Sequence, residues 1–154
     1  MVIEGKTELI ILIVEDDPGH ASLIVKNLKR SGLTNKFIVL KDGEEALDFL
    51  FQFLRGKDTG RRKGDAYLLL LDIRMPKVDG IEVLRQIKQD PDLREIPVIM
   101  LTTTDDPREI ETCYKLGCNV YITKPVDSKQ FVEAITKLGL FLTVVQVPKI
   151  NGKS

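Results

Sequence analysis

The sequence has few cysteines and no net charge. It contains two cysteines, Cys113 and Cys118, and on a helix and the turn after it these would form neither a redox pair nor half of a zinc site. We expect both to be reduced structural thiols. Basic and acidic residues number 23 each, so no net charge attracts nucleic acid or an anionic membrane. The sequence therefore predicts no nucleic-acid partner.

Long hydrophobic runs are also missing. None approaches the roughly 20 residues that span a bilayer, and residues 1–6 have no signal-peptide pattern. We therefore expect a cytoplasmic protein without a membrane partner. A length of 154 residues favours one compact domain. We place this domain at residues 9–142, with an N-terminal extension at 1–8 and a C-terminal arm and tail at 143–154.

Five short apolar runs alternate with segments of helical spacing. The predicted strands are Leu9–Val14, Phe37–Leu40, Leu68–Leu71, Val98–Leu101 and Val120–Ile122, and their lack of strict alternation indicates burial on both faces. The predicted buried helix faces are Ala21, Ile24 and Leu28; Ala46, Leu47, Leu50 and Leu54; Val83, Leu84 and Ile87; Ile110, Cys113, Tyr114 and Gly117; and Phe131, Ile135, Leu138 and Leu142. This order predicts an α/β fold with a doubly wound parallel sheet, in which ligands bind beyond the carboxyl ends of the strands.

Acidic side chains follow two of the predicted strands. Glu15 and Asp16 come after the first strand, and Asp72 comes after the third. Like charges about 4 Å apart repel by several kcal/mol at an effective dielectric near 20, so a cluster of this kind needs water, a proton or a cation. Oxygen ligands with room for water suit Mg²⁺. The alternative, separate helix caps and solvated acids, fits the neighbouring Asp17 better than these three.

A hydroxyl and an ammonium follow the last two strands. Thr102 lies at the end of the fourth strand, and Lys124 lies just after the fifth. A phosphoryl group on Asp72 would need its charge spread over a metal, a cation and hydrogen-bond donors, which these residues could supply. Taken alone, a strand-end threonine is usually a cap and a lone lysine is usually solvated. His20, the sole histidine, is expected to be a solvated residue at the start of the first helix.

Together these motifs resemble those of response-regulator receiver domains. They are IVEDD at 13–17, LDIRMP at 71–76 followed by Asp79 and Gly80, LTT at 101–103, and TKP at 123–125. The resemblance covers about residues 9–140, and each motif follows a predicted strand. It implies a single-domain, flavodoxin-like (βα)5 three-layer sandwich whose parallel five-stranded sheet has the order 2-1-3-4-5.

The resemblance also implies a role for each acidic residue. Asp72 corresponds to the phosphoacceptor, and Asp16 to the direct ligand of Mg²⁺. Glu15 would act on the metal through water. The backbone carbonyl of Arg74, together with the Asp72 carboxylate, would complete the coordination by the protein.

A second group of residues corresponds to the switch. Thr102 matches the hydroxyl that moves to the phosphoryl oxygen, and Lys124 matches the cation that pairs with it. Tyr121 matches an aromatic residue whose position reports activation, and the alternative for Tyr121 is a core aromatic with an exposed hydroxyl. We expect a two-state shift of the helix at about 107–115.

The function that the resemblance implies is that of a stand-alone response regulator in a two-component phosphorelay. It would accept a phosphoryl group on Asp72 from a sensor histidine kinase or a histidine phosphotransfer protein, and then switch conformation to control a protein partner. We expect no effector enzyme activity, only self-catalysed phosphorylation and dephosphorylation. A receiver-like interaction module that acts without phosphorylation is the alternative.

Other phosphate-handling α/β proteins fit the sequence less well. An aspartate-based phosphatase would usually place a second aspartate two residues after Asp72, where this chain has Arg74. The acids at 15–17 would repel the phosphate of a flavodoxin-like cofactor. The sequence also lacks a P-loop and a dinucleotide-binding fingerprint.

Two further segments bear on partners. Residues 55–65 contain three glycines and five basic residues, which predicts a mobile surface loop. Residues 143–148 are apolar and β-branched, and with Phe141 and Leu142 they would form an association edge unless covered. We expect a homodimer through the last helix and this arm. The loop and arm also resemble single-domain receivers that partner phytochrome-type histidine kinases.

Overall fold

A computed structural model describes residues 9–51 and 66–145 of the chain. In this part the strands are β1 (Leu9–Val14), β2 (Lys36–Leu40), β3 (Ala66–Leu71), β4 (Val98–Thr102) and β5 (Val120–Thr123). The helices are α1 (Pro18–Arg30), α2 (Gly43–Leu50), α3 (Gly80–Gln89), α4 (Pro107–Leu116) and α5 (Ser128–Leu142). All five predicted strands are present, in the predicted alternation with helices.

The strands form one parallel sheet in the order β2-β1-β3-β4-β5, as predicted. The strand β1 pairs with β2 on one side and with β3 on the other, so that Ile13 has both Val39 and Leu70 as neighbours. The chain order reverses at this point of the sheet. The carboxyl ends of β1 and β3 are therefore adjacent at the switch point, where ligand chemistry gathers in open α/β sheets.

The core consists of two layers, one on each face of the sheet. Successive residues of a strand point to opposite faces. Leu12 and Leu69 accordingly pack with α2, α3 and α4, whereas Ile13 and Leu70 pack with α1 and α5. This arrangement confirms the three-layer sandwich.

The edge strands differ from the sequence prediction of burial on both faces. The strands β1, β3 and β4 are almost wholly buried, but β2 and β5 are only partly covered. Val39 in β2 is 45% exposed. An edge strand has a neighbour on one side only, and the helices pack over the middle of the sheet, so an apolar sequence there does not ensure burial.

The predicted buried face of α4 is wrong in most of its residues. Cys113 is fully buried, but Tyr114 is 48% exposed, Gly117 is exposed and Ile110 is only partly covered. Gly117 instead ends the helix with a φ of 111°, a left-handed conformation that glycine adopts without steric cost. Among the described helices, α4 has the fewest fully buried residues, since Cys113 is the only one.

Every described helix begins with an aspartate cap. The capping residues are Asp17, Asp42, Asp79, Asp106 and Asp127. Each carboxylate accepts a hydrogen bond from a backbone N–H of the first turn, which is otherwise without a partner, and its charge is favoured by the helix dipole. The caps therefore set where each helix starts relative to the strand before it.

Several predictions lie outside the described residues. They concern the extension at 1–8, the loop at 55–65, Leu54, and the arm and tail from 146 onwards. Within the described part, Val145 packs against the core on the α1 and α5 face, whereas Val144 is exposed. No helix of that part is long and apolar enough to cross a membrane.

Candidate functional site

Three carboxylates meet at the carboxyl ends of β1 and β3. Glu15 and Asp16 follow β1 directly, and Asp72 follows β3. The backbone N–H of Asp72 donates to the carbonyl oxygen of Val14 at 3.1 Å, which extends the pairing of β1 and β3 by one residue. One carboxylate oxygen from each of the three acids lies within 4.8 Å of the others. The structure therefore brings together the acids that the sequence singled out.

The three acids differ in exposure. Glu15 and Asp72 are buried, with 3% and 8% of their surface exposed, whereas Asp16 is exposed. Burial raises the pKa of the Glu15 carboxyl above its usual 4.5, the nearby Asp72 charge adds to that rise, and the Lys124 ammonium offsets part of it. An uncompensated negative charge is thus costly here, and a cation stabilises it.

Lys124 supplies one such cation from the opposite side. Its backbone N–H donates to the carbonyl oxygen of Thr102 at 2.7 Å, which fixes the start of its side chain at the end of β5. The side chain is buried, and its ammonium forms an ion pair with Glu15 and lies 3.5 Å from Oδ2 of Asp72. The lysine therefore bridges the buried acids.

The Asp72 side chain is held by its own loop. Its Oδ1 accepts a hydrogen bond of 2.8 Å from the N–H of Ile73, and its other oxygen is the one that faces Lys124. The loop packs so closely on α3 that a Cβ on Gly80 would lie 1.9 Å from the carbonyl oxygen of Asp72. Gly80 also donates its N–H to the carbonyl of Ile73 at 2.9 Å. A glycine is required at this point of the fold.

Thr102 presents a buried hydroxyl at the end of β4. It is fully buried, and its Oγ1 has no hydrogen-bond partner. An unpartnered buried hydroxyl costs about 1–3 kcal/mol. A group that arrives at the site with acceptor oxygens would remove this cost.

The two remaining predicted residues lie on the α4 side. The side chain of Arg74 points to that helix and pairs with Glu109, with 2.7 Å between the two groups. Tyr121 is half-buried in β5, and its hydroxyl donates to the carbonyl oxygen of Thr104 at 2.7 Å. Burial raises the pKa of Tyr121 to about 12, so the hydroxyl remains a donor at neutral pH. Both residues are thus placed between the acids and α4.

His20 is one residue whose position the sequence reasoning did not anticipate. It belongs to the first turn of α1, but it is only partly exposed, and its Nδ1 lies 3.4 Å from Nζ of Lys124. The two residues are 104 positions apart in the chain. The only sequence signal was that α1 starts beside the acids, which does not by itself select this side chain.

The donor set suits a hard divalent cation. All three clustered acids offer oxygen, two of them are buried beside each other, and Asp16 is open to solvent, where bound water could remain. Mg²⁺ prefers oxygen ligands of this kind and retains several waters. The role of the Arg74 carbonyl as a ligand stays a prediction.

Comparison with known proteins agrees with the resemblance to receiver domains. The sequence pattern of the response regulator receiver domain matches residues 11–136. The chain is 42% identical to the probable methanogenesis regulatory protein FilR2 of Methanothrix harundinacea over 142 residues, which cover 90% of this chain and 88% of that protein. It is 36% identical to the response regulator Rcp1 of Synechocystis, over 94% of this chain and 97% of Rcp1.

Solved structures of response regulators and receiver domains superpose on this fold. A receiver domain from Rhodospirillum rubrum superposes with a TM-score of 0.85 at 50% identity, over 93% of this chain and 99% of the other. The Mn²⁺-bound form of Rcp1 superposes with a TM-score of 0.79 at 36% identity, over 90% and 98%. The phosphorylated cyanobacterial phytochrome response regulator RcpA gives 0.82 at 33% identity, over 92% and 99%.

Proposed function

The chain belongs to the response regulator receiver family, whose members act in two-component signalling, and on that premise we propose that Asp72 is its phosphoacceptor. The observation that carries the proposal is the position of the Lys124 ammonium, buried between Glu15 and Asp72. An ammonium next to the acceptor carboxylate can pair with the oxygens of a phosphoryl group. The unpartnered hydroxyl of Thr102 is a donor for the same group.

The reaction assigns a role to each of these side chains. A carboxylate oxygen of Asp72 attacks the phosphorus of a phosphohistidine, an O–P bond forms, and the N–P bond to the donor imidazole breaks. Lys124 and Thr102 stabilise the charge on the transferred oxygens. Hydrolysis of the acyl phosphate by water later returns Asp72 to its carboxylate form. The protein thus catalyses its own modification and no separate effector reaction.

Mg²⁺ is the metal that we propose for this site. Asp16 and Asp72 would bind it directly, the backbone carbonyl of Arg74 would add a third ligand, and Glu15 would act through water. When bound, the ion neutralises negative charge on the acids and on the phosphoryl group. The fit of the acidic cluster to a divalent ion supports this proposal, as does the Mn²⁺-bound form of Rcp1.

Phosphorylation changes the surface through residues next to α4. We propose that Thr102 moves to the phosphoryl group and that Tyr121 changes position with it. A shift from 1:99 to 99:1 between two states needs about 5.5 kcal/mol of differential stabilisation, which a doubly charged group beside Lys124 could provide. The slight burial of α4 supports its role as the element that moves.

Receiver domains receive their phosphoryl groups from histidine kinases or histidine phosphotransfer proteins. For this chain we propose a kinase of the phytochrome type, because RcpA is described as a phytochrome response regulator. The relative FilR2 is named for methanogenesis, so relatives with this domain serve different pathways. A cytoplasmic location is supported by two buried cysteines that form no disulfide.

We also propose a homodimer through α5 and the arm. Leu140, Phe141 and Val144 are each more than half exposed at the end of α5. Phe141 also lines an apolar groove of about 410 Å³ between α5 and the edge strand β5. Light scattering of the full chain at high micromolar concentration should give the mass of a dimer, and a monomer with and without a phosphoryl mimic would contradict it.

A phosphotransfer assay tests the central proposal. Incubation with a radiolabelled, autophosphorylated histidine kinase and Mg²⁺ should label the wild-type chain. No label should be transferred when the metal is chelated before the kinase is added. Asp72→Asn should remain unlabelled, whereas Asp92→Asn, a substitution of a partly buried aspartate in the turn before β4, should be labelled normally. Acid-labile, Mg²⁺-dependent label on Asp72→Asn would refute the assignment. A wild-type chain that no kinase labels would favour the interaction module that acts without phosphorylation.

A further inference from the structure

The Lys124 ammonium has a third neighbour besides the two buried acids. Nδ1 of His20 lies 3.4 Å from its Nζ. An ammonium has three N–H donors and no acceptor. Glu15 accepts from this lysine, Asp72 is an ion-pair partner with its Oδ2 at 3.5 Å, and Nδ1 of His20 lies near enough to accept as well, around a side chain that is only 2% exposed. An imidazole nitrogen can take this third place only while it carries no proton.

The imidazole is held in this place by its surroundings. Its ring packs on Phe131 of α5, with 5.6 Å between ring centroids. Its backbone N–H donates to Asp17, and Oδ2 of Asp17 lies 3.9 Å from Nδ1. The charged groups that face His20 are thus the ammonium of Lys124 and the carboxylate of Asp17, whose pKa is lowered by backbone hydrogen bonds from His20 and Gly19. Asp17 therefore stays ionised throughout the range in which an imidazole titrates.

There is also room for the ring and the ammonium to separate. A cavity of about 230 Å³ lies beside them, lined by His20, Thr103, Lys124, Pro125 and Phe131 among others. The cavity opens to solvent, and His20 has 41% of its side chain exposed. The ring can therefore turn away from Lys124 and bond to water without any change in the buried acids.

The three acceptors of Lys124 are not equivalent when a phosphoryl group arrives. Glu15 is buried and anionic, so its pair with the ammonium is costly to break. His20 is partly exposed and neutral when it accepts, and the ring can instead bond to water or to Asp17. The donor directed at His20 is the one that Lys124 gives up at least cost.

We propose that His20 is a positioning residue of the phosphoryl site, which holds the third donor of Lys124 while Asp72 is unmodified and releases it to the phosphoryl oxygens when Asp72 is phosphorylated. This rests on the proposed role of Asp72. After release the ring bonds to water or to Asp17, and the freed donor of Lys124 pairs with the phosphoryl oxygens.

Two substitutions separate this role from simple packing. His20→Asn keeps an acceptor near the position of Nδ1 but removes the ring. His20→Phe keeps a ring on Phe131 but removes the acceptor. If His20 only packs, the phenylalanine variant should behave like the wild type; if it holds Lys124, the asparagine variant should do so.

The test measures binding of beryllium fluoride, a phosphoryl mimic, to the full chain with Mg²⁺ at pH 8. We expect His20→Phe to bind the mimic roughly 3- to 10-fold more tightly than the wild type, the effect of one hydrogen bond to a charged group that need not be broken. His20→Asn should stay within about twofold of the wild type by the same reasoning.

A second readout follows the contact itself. In nuclear magnetic resonance spectra of the wild type at pH 8, the ring-nitrogen signals of the sole imidazole should shift when the mimic binds, because Nδ1 loses its contact with Lys124. Unchanged ring signals, or a phenylalanine variant that binds like the wild type, would overturn the role of His20. Failure of the wild type to bind the mimic, or equal binding by Asp72→Asn, would instead overturn the proposed function, so the two failures are distinguishable.

Discussion

The guanidinium of Arg74 and the carboxylate of Glu109 form an ion pair, with 2.7 Å between Nη2 and Oε2, that joins the loop after Asp72 to the first turn of α4. The second oxygen of Glu109 is buried and has no hydrogen-bond partner. Among the described residues, the only other buried side-chain nitrogen or oxygen without a hydrogen-bond partner is Oγ1 of Thr102. Glu109 belongs to the helix that we propose to move, and Thr102 ends the strand before it. The cost of leaving these two oxygens without partners favours any other arrangement of the helix that pairs them.

The first prediction concerns this ion pair. A double-mutant cycle of Arg74→Gln and Glu109→Gln should give a coupling in the free energy of unfolding of about 0.2–1 kcal/mol, because the Arg74 side chain is 62% exposed although Glu109 is largely covered. Urea denaturation at low salt measures it, and about 1 M salt should reduce it. With beryllium fluoride bound, the coupling should shrink as α4 moves. Additive effects of the two substitutions would contradict the link, and an unchanged coupling with the mimic would contradict the movement.

The second prediction concerns the balance of charge at the site. Lys124→Met leaves two buried carboxylates without their cation, and it should lower the free energy of unfolding at pH 7 by about 3–5 kcal/mol without metal. Asp72→Asn removes one of the repelling charges and should raise it by up to about 1 kcal/mol. Urea denaturation measures both.

Mg²⁺ provides a control for the charge argument. It should restore part of the stability of Lys124→Met but have little effect on Asp72→Asn, because the first variant keeps all the acids and the second has lost a ligand. The substitution of an exposed lysine, Lys26→Met, should change stability by less than about 0.5 kcal/mol. A Lys124→Met variant as stable as the wild type would show that the buried lysine does not compensate the acids.

The acidic cluster and Lys124 could be predicted from the sequence for a simple reason. Parallel strands end at the same edge of a sheet, so polar residues that follow buried strands must meet there, whatever the details of packing. Glu15, Asp16, Asp72 and Lys124 all have this property. The strand order could be predicted only through the resemblance to a family.

The contacts around the cluster could not be predicted in this way. His20 reaches Lys124 because α1 packs against α5, and Arg74 reaches Glu109 because the first turn of α4 lies beside the loop after β3. Such contacts depend on helix orientation, which residue type and spacing do not determine. The exposure of Val39 and Tyr114 has a similar cause, since an apolar side chain is buried only where a neighbouring element covers it.

The third prediction concerns the close approach of α3 to the acceptor loop. Gly80→Ala would place a methyl group 1.9 Å from the carbonyl oxygen of Asp72, so backbone must move. We expect a loss of roughly 2–4 kcal/mol in the free energy of unfolding and a weaker response to Mg²⁺, because the loop carries an acid of the site.

Gly32→Ala is the matched control for that substitution. Gly32 has a φ of 102°, but nothing lies within 4 Å of a Cβ built there. Its replacement should cost only the backbone strain of about 1–2 kcal/mol and leave the Mg²⁺ response unchanged. Equal losses for the two variants would mean that the contact with Asp72 does not restrict residue 80.

The last prediction concerns Cys113, which is fully buried in α4. Burial raises the pKa of its thiol from 9.0 to about 12, with smaller contributions from Cys118 and Glu109. Since the thiolate is the reactive form, Cys113 should react with a thiol reagent at pH 8 only when α4 opens. Reaction monitored by mass spectrometry should be far slower in the native protein than in urea. With beryllium fluoride bound it should be faster than in the native protein alone, because we propose that α4 then moves.

The same shift gives a pH dependence of stability whose sign is fixed. Between pH 9 and 12 the unfolded chain loses the Cys113 proton and the folded chain keeps it, so the unfolded state binds fewer protons and stability falls as pH rises. The contribution of this thiol is fully present below pH 9 and is lost towards pH 12. Wild type should therefore lose more stability between pH 8 and pH 10.5 than Cys113→Ala, in which the thiol is absent. Parallel losses in the two proteins would show that the thiol ionises as easily in the folded chain as in the unfolded one, which its burial in α4 does not allow.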